Sequence, residues 1–113
     1  MRKMSPSLVK RCNDDPFYTK CIHCLKDDHV CKGRLTWEHA WIYAGRQINE
    51  AWAIVPCCMS MNVGVSGDDK KFNQYVALIR AKSLGIDLSS DFPKRNWEIE
   101  FDVLHEKFYK IFL

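Results

Sequence analysis

Residues 21–39 read CIHCLKDDHVCKGRLTWEH, and residues 51–63 read AWAIVPCCMSMNV. Cys21 and Cys24 form a C-x2-C knuckle, a spacing at which both thiolates can reach one zinc ion at a Zn–S distance of about 2.3 Å. Cys31 follows in the first stretch, and Cys57-Cys58 lies in the second. Cysteines grouped in this way predict a metal site that joins the two stretches.

The same two stretches predict a hairpin. Residues 34–39 alternate in polarity and contain β-favouring side chains, as a short strand does. Residues 51–56 form a second predicted strand, which Pro56 ends because proline cannot donate to a ladder. Residues 40–50 form a wide loop between them, and residues 58–63 begin a short helix.

Two longer helices are predicted beyond the hairpin. The first runs from Asp68 to about Ser83, with an apolar stripe at helical spacing. The second runs from about Arg95 to Phe112 and carries a second apolar face. The residues of the two faces are Phe72, Tyr75, Val76 and Ile79, and Trp97, Phe101, Leu104, Phe108 and Ile111. These stripes predict a packed scaffold.

The chain of 113 residues predicts one domain with three parts. Residues 1–20 are a basic arm with at most one helical turn, since Pro6 and Pro16 interrupt it. Residues 21–66 hold the cysteines and the hairpin, and residues 67–113 form a helical buttress.

Composition limits the class of protein. No apolar run approaches the length of a membrane span, and the first residues contain no hydrophobic segment of a secretory signal. We therefore expect an intracellular, cytoplasmic protein, in which six clustered cysteines favour metal binding over disulfides. Residues 1–46 carry nine Lys or Arg against five Asp or Glu, a surplus compatible with a polyanionic partner.

Glu38, His39 and Asn62 are the side chains suited to phosphodiester hydrolysis. This reaction needs a base for water, a role that suits His39, and a cation to stabilise negative charge. Glu38 and Asn62 offer the oxygen ligands that Mg²⁺ or Mn²⁺ prefers. Neighbouring residues on a strand point to opposite faces, so the strand must end or kink at Glu38-His39 if both are to serve one site.

In order and spacing these residues resemble the HNH (ββα-metal) endonucleases, in particular the zinc-stapled branch and a subgroup of small phage and prophage proteins. Cys21 and Cys24 match the first knuckle of that pattern, and Glu38-His39 match its acid–His pair. Cys58 and Asn62 match the start of the second knuckle and the metal residue after it.

The resemblance implies an α+β, zinc-stapled ββα-metal fold with two C-terminal helices, and a DNA endonuclease. It implies a structural Zn²⁺ and a catalytic Mg²⁺ or Mn²⁺, with DNA as partner; a homodimer stays open. His39 would be the base and Glu38 and Asn62 the cation ligands. Asn49 lies in the loop where the family has an asparagine that orients the base, although it is equally suited to a turn.

The chain departs from the family at Met61, where the second knuckle needs another ligand. We expect Cys31 to complete the set Cys21, Cys24, Cys31 and Cys58. Cys57 is the competing ligand and His29 a further alternative. His23, inside the knuckle, is expected to be exposed, or a supporting donor at most.

Lys32, Arg34 and Arg46 are candidate phosphate contacts, because basic side chains match phosphate oxygens. Each is equally compatible with a solvated surface charge. A non-catalytic zinc-binding module that recognises nucleic acid or protein is the alternative function, and it would treat Glu38, His39 and Asn62 as incidental.

Overall fold

The computed structural model describes residues 4–26, 29–61 and 67–112, which form an α+β fold. The regular elements of these residues are α1 (Pro6–Asn13), β1 (Leu35–His39), β2 (Ile42–Tyr43), β3 (Arg46–Gln47), β4 (Ile54–Cys58), α2 (Gly67–Ser83), α3 (Leu88–Asp91) and α4 (Trp97–Phe108). β1 pairs antiparallel with β4, and β2 with β3. None of the described helices combines the length and the apolar character that a bilayer crossing needs.

The predicted strand at 34–39 is confirmed as β1, but its partner continues past Pro56 to Cys58. Pro56 pairs with Trp37. Antiparallel pairs alternate between hydrogen-bonded and non-bonded positions. The Ala40 N–H donates to Ala53, and the Met59 N–H to Arg34. Counting from these two bonds, Trp37–Pro56 is a non-bonded pair. The prediction that Pro56 ends the strand is therefore wrong, because its missing N–H faces no acceptor.

The loop between the paired strands contains a small hairpin of its own, β2 with β3. Ala44 and Gly45 turn the chain with φ of 53° and 78°. The Ile48 N–H donates to the carbonyl of Trp41 and closes the base of this hairpin.

The N-terminal segment contains a longer helix, Pro6–Asn13, than its prolines predict. Ser5 caps α1 by accepting from the N–H of Leu8, and Pro6 occupies the first helical position, where no N–H is needed. Leu8, Cys12 and Tyr18 are buried in a cluster with Ala51 and Ile54. The expectation of at most one helical turn is wrong, and the segment packs against the hairpin.

The two predicted C-terminal helices are confirmed as α2 and α4, with α4 ending in a 3₁₀ turn at Tyr109–Phe112. Phe72, Tyr75 and Val76 of α2 share a buried cluster with residues of α4, namely Trp97, Leu104 and Phe108.

The short helix expected at 58–63 is not observed at its start. Cys58 belongs to β4 and not to a helix, because the ladder extends to the bond from the Met59 N–H to the Arg34 carbonyl. A 3₁₀ turn follows at Met59–Met61. Asn62 and the remainder of that predicted helix lie outside the described residues.

Candidate functional site

Three cysteines and one histidine converge at the end of β4. Cys21, His29, Cys31 and Cys58 each offer one ligand atom, and these atoms all lie within 4.8 Å of one another. Nε2 of His29 is 3.7 Å from the Cys21 sulfur, 3.4 Å from that of Cys31 and 3.6 Å from that of Cys58. The imidazole therefore faces all three thiols at once.

These distances fit a tetrahedral zinc ion. With Zn–S of about 2.3 Å and Zn–N of about 2.1 Å, the S···N edge of a tetrahedron is about 3.6 Å. The observed separations of 3.4 to 3.7 Å match that edge. The group can hold a metal such as zinc with small movements of its side chains.

The chain positions the ligands by three local devices. A 3₁₀ turn at Ile22–Leu25 follows Cys21, and the end of β4 carries Cys58. Gly33 has φ of 79°, and a Cβ there would lie 2.9 Å from Cβ of Met59. Only glycine lets the chain pass this close to Met59 after Cys31, so Gly33 allows Cys31 to reach the strand end.

His29 belongs to this group, whereas Cys24 does not. The Cys24 sulfur lies 3.3 Å from that of Cys31, at the exposed rim. From the sequence, His29 was only an alternative zinc ligand, because a single histidine five residues after Cys24 does not match a characteristic ligand spacing.

Cys57 and Cys58 point to opposite faces of β4, as neighbours on a strand do. The Cys57 sulfur lies 4.0 Å from Oε2 of Glu38, and burial raises the pKa of this thiol to about 12. Burial also acts to raise the pKa of Cys58, but hydrogen bonds from Ser60, the Lys32 backbone and His29 outweigh it and lower that pKa to about 6. Cys58 is thus the thiol prepared to act as a ligand.

Glu38 and His39 line one cleft of about 390 Å³ between the end of β1 and helix α2. Both residues are still paired with β4, Glu38 with Val55 and His39 with Ile54, and they line the cleft where β1 ends. The wall on α2 includes Lys70, Asn73 and Gln74.

Asn49 is the hydrogen-bond partner of His39. Its Oδ1 lies 2.9 Å from Nε2 of the imidazole. With this oxygen as acceptor, Nε2 carries the hydrogen and Nδ1 holds a lone pair. Nδ1 is buried and has no partner among the described residues. The loop asparagine therefore places the hydrogen on Nε2, so Nδ1 is the nitrogen that would act as the base.

Asn73 of α2 is a site residue that the sequence analysis missed. Its Nδ2 donates to Oε2 of Glu38, and its Oδ1 lies 2.6 Å from Nε2 of His23. Burial raises the pKa of Glu38 to about 6, although the Asn73 hydrogen bond lowers it. The sequence did offer one signal for Asn73: it is a polar residue three positions before Val76, next to the apolar face of α2.

The expectation that His23 is exposed is wrong, since its side chain is completely buried. Its ring packs between Phe72 and His29, with ring centroids 5.1 Å and 5.6 Å away. Burial lowers the pKa of His23 to about 4, so the imidazole is neutral.

Of the residues that the structure describes, two cations line the cleft, Lys70 and Arg95. The Arg95 guanidinium lies 5.4 Å from the Trp41 ring centroid and pairs with Glu100. The predicted phosphate contacts Lys32, Arg34 and Arg46 are exposed but are not among the residues that line this cleft.

Comparison with protein families, curated proteins and solved structures finds no significant match to this chain.

Proposed function

We propose that the chain is a metal-dependent HNH endonuclease that hydrolyses DNA phosphodiester bonds. The observation that carries the proposal is the common cleft of Glu38 and His39, with Asn49 hydrogen-bonded to the imidazole. A base and a carboxylate on one wall are the two groups that phosphodiester hydrolysis requires of the protein.

His39 is the general base of the proposed reaction. The hydrogen bond to Asn49 fixes its Nε2–H form and leaves Nδ1 to take a proton from water. Because Nδ1 is covered in the free protein, we expect DNA binding to shift the ring or its neighbours enough to admit water.

Glu38 is the proposed ligand of a catalytic Mg²⁺ or Mn²⁺, with Asn62 as a second ligand that lies outside the described residues. Among the described residues that line the cleft, Glu38 is the one carboxylate. That composition fits Mg²⁺, which is commonly bound by one or two carboxylates together with substrate phosphates. Bound there, the cation would supply charge stabilisation for the phosphate and the departing 3′ oxygen.

The remaining charged groups suit a DNA partner. Lys70 and Arg95 bring positive charge into the cleft itself. Lys32, Arg34 and Arg46 provide exposed positive charge outside it. Zinc at Cys21, His29, Cys31 and Cys58 would have a structural role, joining the knuckle to the end of β4.

The test is plasmid cleavage by the zinc-loaded chain with Mg²⁺ or Mn²⁺, compared with His39→Ala and with His105→Ala as a matched control. His105 is a histidine of α4 that bonds to Tyr75, and it does not line the cleft. We expect cleavage by the wild type and the control, and a loss of at least about 100-fold in His39→Ala, with folding and zinc content unchanged.

Full cutting by His39→Ala would remove the catalytic assignment. If the wild-type chain cuts no duplex, nicked, branched or single-stranded DNA while holding one zinc, the non-catalytic zinc-binding module takes the place of the nuclease.

A further inference from the structure

A row of buried polar side chains connects the cysteine knuckle to the cleft carboxylate. Lys26 bonds to His23, His23 to Asn73, and Asn73 to Glu38. His23 has no exposed surface and Asn73 only 1%. The row therefore passes through the protein interior, and its outer end is the ion pair of Lys26 with Asp69, at 3.1 Å.

The chemistry of Lys26 sets the direction of every hydrogen bond in this row. Its ammonium group can only donate, and it lies 2.9 Å from Nδ1 of His23. Nδ1 must then accept, so the hydrogen of the neutral imidazole is on Nε2. The acceptor for that hydrogen is Oδ1 of Asn73, at 2.6 Å.

The orientation of the Asn73 amide follows from the histidine tautomer. Its oxygen faces His23, so its nitrogen must face Glu38, whose carboxylate accepts. A flipped amide would place an N–H against an N–H at His23 and an oxygen against the carboxylate. Both contacts would be repulsive in a buried site, where unpaired polar groups are costly.

Packing alone does not account for a polar row at this place. His23 lies against Phe72, and an apolar side chain of similar size would fill the space without needing partners. The row ends instead on Glu38, which among the described residues is the one carboxylate that lines the cleft beside His39.

We infer that His23 is a positioning residue of the cleft, which holds the Asn73 amide and thereby the Glu38 carboxylate in one orientation. Because His23 lies between Cys21 and Cys24, the same turn serves the metal centre and the cleft. The part of this inference that concerns catalysis rests on the proposed function. The part that concerns the orientation of Asn73 and Glu38 does not.

The experiment compares His23→Leu, which removes the donor, with His23→Gln, whose amide can donate to Asn73 and accept from Lys26. His105→Gln is the matched control, since it removes a histidine that is bonded to Tyr75. Nitrogen-15 spectra of the zinc-loaded chain report the His23 tautomer and the side-chain amide of Asn73 without any need for activity.

We expect the Nε2–H tautomer of His23 in the wild type. In His23→Leu the Asn73 amide hydrogens should exchange with solvent at least 10-fold faster, and His23→Gln should restore most of the protection. The Mn²⁺ concentration for half-maximal cleavage should rise at least 10-fold in His23→Leu and return towards the wild-type value in His23→Gln, with one zinc per chain throughout.

Unchanged Asn73 exchange in His23→Leu, or an Nδ1–H tautomer in the wild type, would overturn the inference. If His23→Leu does not fold, His23→Phe, which keeps an aromatic ring but has no donor for Asn73, replaces it, and unchanged Asn73 exchange in that variant counts against the inference. A wild type that shows the expected spectra but cuts no DNA would overturn the proposed function alone.

Discussion

The Asn49 amide oxygen lies 2.9 Å from Nε2 of His39, ten residues earlier in the chain and across the small β2–β3 hairpin. This contact makes the loop asparagine the partner of the proposed base. It leaves the buried Nδ1 as the ring nitrogen without a partner among the described residues.

Replacing Asn49 by Ala should lower cleavage by about 10-fold to 100-fold without loss of zinc, because His39 would sample both tautomers and ring orientations. Asn49→Asp keeps an acceptor at the same place and should retain more activity than Asn49→Ala. Steady-state cleavage rates measure both, and an Asn49→Ala protein as active as the wild type would show that the contact has no catalytic role.

Zinc binding should distinguish His29 from Cys24. His29→Ala removes a member of the four-ligand group and should weaken zinc binding by at least about 10-fold, measured by chelator competition. Cys24→Ala should keep one zinc per chain at near wild-type affinity. If Cys24→Ala loses zinc and His29→Ala retains it, the ligands are the four cysteines Cys21, Cys24, Cys31 and Cys58.

The pH dependence of the free energy of unfolding should show the cost of burying the Glu38 carboxylate. Burial raises the pKa of this carboxyl to about 6 in the folded chain, above the ordinary value of 4.5. The folded state therefore holds the proton more tightly, and the wild type loses stability as the pH rises through that window.

Glu38→Gln cannot ionise. Its free energy of unfolding should therefore rise relative to that of the wild type as the pH increases from 4.5 to about 6. After discounting for solvent screening of a half-buried group, the gain is about 1 kcal/mol. Paired urea titrations without added Mg²⁺ or Mn²⁺ measure the difference, in which any shared loss of zinc cancels. A difference that stays constant with pH would contradict the raised pKa.

DNA affinity should depend on the two cations of the cleft. Lys70→Gln and Arg95→Gln should each reduce the slope of log affinity against log salt by about 1, as expected for one lost phosphate contact. Lys10→Gln is the control, because Lys10 is exposed on α1, paired with Asp14, and does not line the cleft. Equal slopes for all four proteins would place the DNA elsewhere, and the same assay on Lys32, Arg34 and Arg46 variants would then identify that surface.

The sequence predicts the regular part of this fold well. The strand at 34–39 and the two long helices have strong local signals, and the structure contains all three. Pro56 and Pro6 misled the prediction for one physical reason. A proline is harmful only where its N–H is needed, and both lie where it is not: a non-bonded ladder position and the first position of a helix.

The candidate site was predictable where a short motif marks its residues: Cys21 belongs to a C-x2-C knuckle, and Glu38 and His39 are adjacent. It was not predictable where tertiary contacts decide. Asn73 reaches Glu38 across 35 residues and His23 across 50, and no local spacing signals such contacts. His29 likewise gains its position only when the loop closes on the end of β4.

The most direct measurement is a crystal structure of the zinc-loaded chain with DNA and Mn²⁺, with anomalous scattering recorded above and below the zinc edge. The proposed function predicts zinc bonded to Cys21, His29, Cys31 and Cys58, and manganese bonded to the Glu38 carboxylate beside a phosphate, with His39 facing the same phosphate. Manganese bound elsewhere, with DNA away from Glu38 and His39, would contradict it.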